Sequence, residues 1–200
     1  ALLSKLFVRG GRTLAIVADD GQATLDGGGS VGPMLSSLQD ADVVLANLRL
    51  RNGNGTHCCG GAIYNWKGTM TMQACAFDSN NLDYGGAVYN WKGTMEMHAC
   101  TFDDNHAAQG GAILNEEGTI KMQACTFEGN NADYGGALFN CQGTMEMQAC
   151  AFDGNRAEQH GGAVYNWRGP MEMHACTFDG NHAGREAGAV YNYQGTMMEM

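Results

Sequence analysis

Basic side chains are scarce in this chain. Eleven Lys and Arg stand against twenty-one Asp and Glu, a formal net charge of −10. Nucleic-acid backbones are held largely by clustered cations, so the deficit argues against DNA or RNA as a partner. Long apolar runs are missing too: none approaches the ~20 residues that cross a bilayer as a helix, so no membrane-spanning segment is expected. No charged stretch followed by an apolar one stands at the N-terminus, and Ala1 is an unusual start, so the sequence reads as a mature product or an excerpt. Helical periodicity is absent as well.

What is present is a repeat. Gly60, Gly85, Gly110, Gly135 and Gly161 each open a copy of one sentence, and Ala187 opens a last one, at spacings of 25 or 26 residues. Such periods belong to solenoids, in which small units stack and share a core. Each copy reads as three short strands; in one they are Ala87 to Asn90, Thr94 to His98 and Cys100 to Phe102, separated by turn signals such as Lys-Gly and Asp-Asp-Asn. Strict alternation sends Met95 and Met97 inward and Thr94 and Glu96 outward, and a bend near His98 and Ala99 resets the phase so that Cys100 and Phe102 also point in.

The same positions form columns. Met70, Met95, Ile120, Met145 and Met171 make one inward column, and Met72, Met97, Met122, Met147 and Met173 a second. Phe77, Phe102, Phe127, Phe152 and Phe178 make a third, while Thr71, Glu96, Lys121, Glu146 and Glu172 face out. Two asparagine columns, one from Asn65 to Asn192 and one from Asn80 to Asn181, read as corners that tolerate left-handed backbone and whose amides stack as ladders. Cys75, Cys100, Cys125, Cys150 and Cys176 form another column. Neighbours ~4.8 Å apart with parallel Cβ vectors suit buried free thiols, not disulfides, which pair Cβ atoms ~3.8 Å apart and turned toward each other. Cys58, Cys59 and Cys141 stand outside it, free or paired. Unpaired thiols point to a reducing compartment or organelle.

The first 59 residues are less regular, yet "ATLDGGGS" and "ADVVLANLRLRNGNG" read as strands and turns of earlier coils, and no domain boundary is expected at residue 59. One continuous domain is the reading: residues 1–59 as irregular coils and 60–200 as regular ones, with the stack starting near Arg12 and numbering about seven coils. No polar capping element closes either end of the stack, so another element is expected to cover these open edges. A leucine-rich horseshoe is the competing solenoid, because Met95, Met97, Cys100 and Phe102 fit its core spacing. That pattern wants an apolar residue at Lys92, however, and the fold class favoured is an all-β, right-handed parallel β-helix of ~25 residues per coil.

The paired signatures Gly-Gly-Ala-Ile (60 to 63) or Gly-Gly-Ala-Val (85 to 88) and Phe-x-x-Asn (77 to 80, 102 to 105) resemble the repeats of chlamydial polymorphic outer membrane proteins, and the N-terminal stretches resemble lead-in coils of the wider pectin-lyase-like group. The resemblance implies a right-handed β-helix used for adhesion or display at a cell surface. It covers about nine-tenths of the chain and says more about fold than about function.

An active site would stand out as a departure from the repeat. Glycoside hydrolysis needs two carboxylates around a cleft, but Lys121 interrupts the Glu96, Glu146, Glu172 column and no unique acidic cluster appears, so no catalytic residue is assigned and an enzyme is not expected. His98 and His174 lie three repeats apart, too far to share a metal, and no metal or cofactor is implied. His106 and His182, each after an asparagine corner, read as solvated polar positions. The acidic column Asp78, Asp103, Glu128, Asp153 and Asp179 reads as a solvated edge, calcium being the alternative. The threonine column from Thr69 to Thr144 lacks the second uncharged column that an ice-binding face needs.

The departure that invites a partner is aromatic. Trp66, Trp91, Trp167 and Tyr193 follow the first asparagine corner, where the middle copies have Glu116 and Cys141. Exposed tryptophan marks contact sites, although a ring lying over its own coil beside Lys67, Lys92 or Arg168 is the plainer use. With Glu96 and His98 on the outer face, these make the candidate partner-binding residues. The function expected is a non-enzymatic scaffold that binds protein partners as a subunit of a larger assembly. An extracellular adhesin or glycan-binding module is the second expectation, and a carbohydrate-active enzyme the third.

Overall fold

The pleat of a strand separates the two sides of each repeat: in Thr94–His98, Met95 and Met97 are buried while Thr94, Glu96 and His98 face solvent. The computed structural model of the protein describes residues 6–19, 21–29, 33–54 and 60–199. In it a regular coil is built from three strands such as Val88–Trp91, Thr94–His98 and Thr101–Asp103. Each strand pairs in parallel, residue for residue, with its counterparts one coil away, so that Met95 stands between Met70 and Ile120 and Phe102 between Phe77 and Phe127. Three sheets of eight, eight and seven strands result, wound into a parallel β-solenoid of about seven turns. No helix occurs among the described residues, so the leucine-rich horseshoe does not apply.

Two boundaries differ from expectation. The first described strand is Leu6–Val8, paired with Leu35–Ser37, so the stack starts ahead of Arg12. A fourth, shorter ladder of Asn131–Tyr134, Arg156–His160 and His182–Ala183 occupies a stretch that read as turn. Its inward residues are small alanines, Ala132 and Ala157. That leaves little apolar patterning for a sequence to display.

The core is the set of columns. Phe77, Phe102, Phe127, Phe152 and Phe178 stack with centroids 4.7–4.8 Å apart and ring planes within 5°. Each buried methionine of the neighbouring columns contributes roughly 1.5–3 kcal/mol by leaving water. Cys75, Cys100, Cys125, Cys150, Cys176 and Cys141 are free thiols, while Cys58 and Cys59 lie outside the described residues. Along the column each thiol donates to the carbonyl two residues earlier, as Cys100 does to His98 at 3.5 Å. Cys100 is pushed above the ordinary thiol range by hydrogen bonding to Cys125 and Cys75 and by burial, so it packs as a neutral hydrophobe.

The asparagines turn the chain in a different way from the one expected. None of the two columns has left-handed backbone. That conformation falls on other turn residues, Lys92 (φ 55°) and Asp104 (φ 50°) near the asparagines, Ala99 (φ 50°) at the bend between the second and third strands, and Gly85 (φ 61°) at the fourth bend. The asparagine side chains point inward and are buried from Asn65 to Asn166 and from Asn80 to Asn155. Asn90 donates through Nδ2 to the Gly93 carbonyl at 3.0 Å, closing the turn, and to Asn115 Oδ1 at 2.9 Å in the next coil. Gly93 is glycine for that reason: a Cβ there would stand 2.3 Å from Asn65 Nδ2. The second column caps backbone as well, with the Asn105 amide nitrogen and Nδ2 both donating to Asn130 Oδ1 at 3.1 and 3.0 Å.

Removing one rung leaves buried polar groups on both sides without partners, each worth about 1–3 kcal/mol. Asn115 Nδ2 donates to Gly118 O, Asn140 Oδ1 and Thr144 O, and its Oδ1 accepts from Asn90. Asn115→Ala is expected to lower unfolding stability by about 3 kcal/mol or more, and Thr101→Ala on the outer face by under about 1 kcal/mol. Urea denaturation midpoints check this; equal midpoints for the two variants would remove the ladder from the account.

Candidate aromatic binding face

The inward turn of Asn90 and Val88 forces Tyr89 and Trp91 outward on the same strand. Repetition makes two parallel outer columns: Tyr64, Tyr89, Leu114, Phe139, Tyr165 and Tyr191 on the first sheet, and Trp66, Trp91, Glu116, Cys141, Trp167 and Tyr193 beside the turn. Trp66 and Trp91 stack at 6.0 Å and 12°, and Phe139, Tyr165 and Tyr191 stack at 4.8 and 5.2 Å. Along the edge, Tyr84, Gln109, Tyr134, His160 and Glu186 run from coil to coil through isolated bridges and the fourth ladder. His160 stacks on Tyr191 at 4.8 Å with its Nδ1 3.7 Å from Glu186 Oε2.

Each tryptophan is accompanied by a cation from the next residue. Lys67 Nζ lies 5.7 and 5.6 Å from the Trp66 and Trp91 ring centres, Lys92 Nζ 5.0 Å from Trp91, and Arg168 Cζ 5.3 Å from Trp167. The rings are half-buried, and Tyr193 is 41% exposed. The plainer use of these side chains, a ring lying over its own coil beside a cation, is therefore realised, and it coexists with an exposed edge.

In the middle coils the ladder is interrupted. Between Trp91 and Trp167 stand Glu116, paired with Trp91, and Cys141, paired with Trp167; between those two coils the parallel register ends at Asn115 and Asn140, and Glu116 bridges Gln142 instead. A cavity of about 440 Å³ occupies the interruption, lined by the two tryptophans, Leu114, Glu116, Cys141, Gln109 and the tyrosines 64, 84 and 89. Leu114 is 2% exposed and Tyr84 40%. The Tyr89 hydroxyl donates to Glu116 Oε2, and Lys92 Nζ pairs with Glu117 at 3.2 Å. Burial pushes the Cys141 thiol up to about 11, with the Glu116 and Glu117 carboxylates adding to it.

Glu96 and His98 do not join this group. They lie on the outer face of the second sheet, where a separate depression of about 400 Å³ is lined by Glu96, His98, Lys121, Glu146, Glu172 and His174 among others. Lys121 Nζ lies 2.9 Å from Glu146, and hydrogen bonding to that carboxylate holds its ammonium above the ordinary lysine range. The candidates thus divide between an aromatic face and a charged one, in which Lys121 offsets one of three carboxylates. The acidic column is confirmed in register from Asp78 to Asp179, with Arg49 paired to Asp78; burial, then Asp104 and Glu128, raises Asp103. Among the described residues no group of three or more His, Cys, Asp or Glu is arranged to hold a metal, and no helix is long and apolar enough to cross a membrane.

A family model described as a right-handed β-helix region matches residues 37–198. The chain belongs to the right-handed β-helix family. Membership fixes the hand of the solenoid, in line with the right-handed crossover of parallel strands. No curated protein and no solved structure matches the chain. In this β-helix, the sequence-level signal for the tyrosine column was the same alternation that exposed the core: a residue between two buried ones on a strand faces out.

The thiol in the notch reports on its surroundings. Alkylation of Cys141 in the folded protein, followed by peptide mapping, should be slower at pH 8.5 than in urea by roughly two powers of ten, because so little thiolate is present. The rate should rise with pH toward a midpoint near 11. Glu116→Gln should lower that midpoint by removing a repelling charge. A profile centred on the ordinary thiol value would show that Cys141 is not in this environment.

Proposed function

We propose that this β-helix is a non-enzymatic scaffold whose aromatic face binds a protein partner, as a structural or accessory subunit of a larger assembly. The observation that carries the reading is the interrupted Trp66–Trp91…Trp167 ladder, a half-exposed aromatic surface with a cavity in it. Half-exposed Trp and Tyr are side chain types in which interfaces concentrate their energy. Catalysis finds less support: in the outward carboxylate column of the second sheet Glu146 is paired with Lys121, and Glu96, Glu146 and Glu172 recur at equivalent positions without a unique acid–base pair. The glycine-pair and Phe-x-x-Asn signatures that resemble polymorphic outer membrane proteins support an adhesive form of the same reading, with a surface protein as partner. A glycan partner would want broad open ring faces, whereas Trp66 and Trp91 cover each other.

Affinity capture from an extract of the producing cell, with mass-spectrometric identification, tests the reading. Trp91→Ala and Trp167→Ala, each shown to fold by its circular dichroism and thermal midpoint, are expected to lose at least about tenfold of a discrete captured protein, as removal of an interface anchor does. An unchanged captured set would refute the aromatic face as the binding surface. Turnover of an acidic polysaccharide by the purified protein would overturn the non-enzymatic reading.

A further inference from the structure

The charged groups around the notch already have partners within the chain. Lys67 lies against Trp66 and Trp91, and Lys92 lies against Trp91 and 3.2 Å from Glu117. Arg168 lies against Trp167, with its Nε donating to Gln194 Oε1 at 3.0 Å. Glu116 accepts from the Tyr89 hydroxyl, and burial keeps Cys141 a neutral thiol. What remains is neutral, and donors predominate. The indole N–H groups of Trp91 and Trp167, the Tyr84 hydroxyl and the Gln109 carboxamide belong to residues that line the cavity, and they have no hydrogen-bond partner among the described residues. Leu114 and the tyrosines complete an apolar, aromatic lining. The backbone beneath offers nothing, because Val88–Trp91 is already hydrogen-bonded to a strand on each side. The cavity falls within the ~300–1,000 Å³ range of ligand pockets.

These features narrow the chemistry of an occupant. A charged segment finds no unpaired counter-charge here. An added β-strand needs a sheet edge, and this is the closed face of a sheet. A helix spends its carbonyls on its own hydrogen bonds, so by covering the notch it would leave the indole, tyrosine and glutamine donors unpaired. A polyproline II segment has what these lack. It makes no internal hydrogen bonds, so its carbonyls are free to accept; its prolines carry no N–H that would need an acceptor; and its apolar rings pack into aromatic-lined grooves. We propose that the notch between Trp91 and Trp167 receives a proline-rich segment of a partner protein, its rings between the two indoles and its carbonyls accepting from the indole N–H groups, Tyr84 and Gln109. The inference rests on the partner-binding reading above and gives that partner a chemistry.

The test uses N-acetyl-deca-proline amide, with a glycine–serine decapeptide amide and tetra-arginine amide as comparators, followed by tryptophan fluorescence and calorimetry on the full chain. Deca-proline is expected to bind at least about tenfold more tightly than either comparator, being preorganised, and with the same affinity at low and high salt, since no ion pair forms. Two variants are informative, each shown to fold by its circular dichroism and thermal midpoint. Tyr84→Phe removes one donor from an exposed side chain and should weaken deca-proline about three- to tenfold, the size of one neutral hydrogen bond. Cys141→Trp fills the notch with the ring found at the equivalent position in three other coils and should weaken it at least about tenfold. Asp153→Asn, on the third sheet, is expected to leave binding unchanged. Equal binding of deca-proline and the glycine–serine peptide, tighter binding of tetra-arginine, an affinity that falls with salt, or binding unaffected by both notch variants would each overturn the proline assignment. Loss of captured protein in Trp91→Ala alongside absence of deca-proline binding would remove the assignment alone. If capture is also insensitive to Trp91, the partner-binding reading falls with it.

Discussion

The hydrogen bond from one asparagine amide to the side-chain carbonyl of the asparagine one coil later fixes the register of this molecule. Parallel strands 25 or 26 residues apart gain backbone hydrogen bonds in many registers, but a buried carboxamide has donors and acceptor that must all be met. Asn90, Asn115, Asn140 and Asn166 meet them only when stacked coil on coil, between Asn65 at one end and the exposed Asn192 at the other, at 2.7–2.9 Å. The second column does the same and also caps backbone amides. Where the first column ends, at Ser37, the Asn65 Oδ1 and Ser37 Oγ are buried without partners.

Once register is fixed, every other column follows. Methionine meets methionine or isoleucine, phenylalanine stacks on phenylalanine, and the outer positions line up as strictly as the inner ones. This is why two substitutions, Glu116 and Cys141, make a feature: in a disordered surface a missing tryptophan would leave no trace, whereas in a ladder it leaves a notch with defined walls. The turn that presents each tryptophan is held by the same amides, Asn65 to Gly68, Asn90 to Gly93 and Asn166 to Gly169. Scaffold and candidate site therefore share one set of hydrogen bonds.

The inner half of the structure was legible because inward positions are chemically uniform. Met95, Met97, Cys100 and Phe102 all lie where alternation and a bend at Ala99 place them, and Ala99 carries the left-handed backbone of that bend. The asparagine columns were legible as ladders and misread as left-handed corners, because the turn propensity of Asn masks a side chain that here works inward. The fourth ladder was missed because its buried positions are alanines such as Ala132 and Ala157. The tryptophans could be read as an outer column, but not their neighbours: Glu96 and His98 were grouped with them because they too face outward, and the turn at Lys92 and Gly93 sends the two groups to different sheets. Tyr84 and Gln109 reach the notch from the end of the preceding coil, a neighbourhood that no local pattern displays.

The dependence of the whole arrangement on the amide ladders can be tested without any partner. Hydrogen exchange of the asparagine side-chain amides, followed by nuclear magnetic resonance on asparagine-labelled protein, reads the rungs directly. Two sets of carboxamides with exchange slowed to the rate of the core strands, Asn90, Asn115, Asn140, Asn105 and Asn130 among them, are what buried and fully bonded rungs require. Side-chain amides exchanging as fast as those of surface Gln73 and Gln148 would contradict it and would leave the register of the coils without its physical cause.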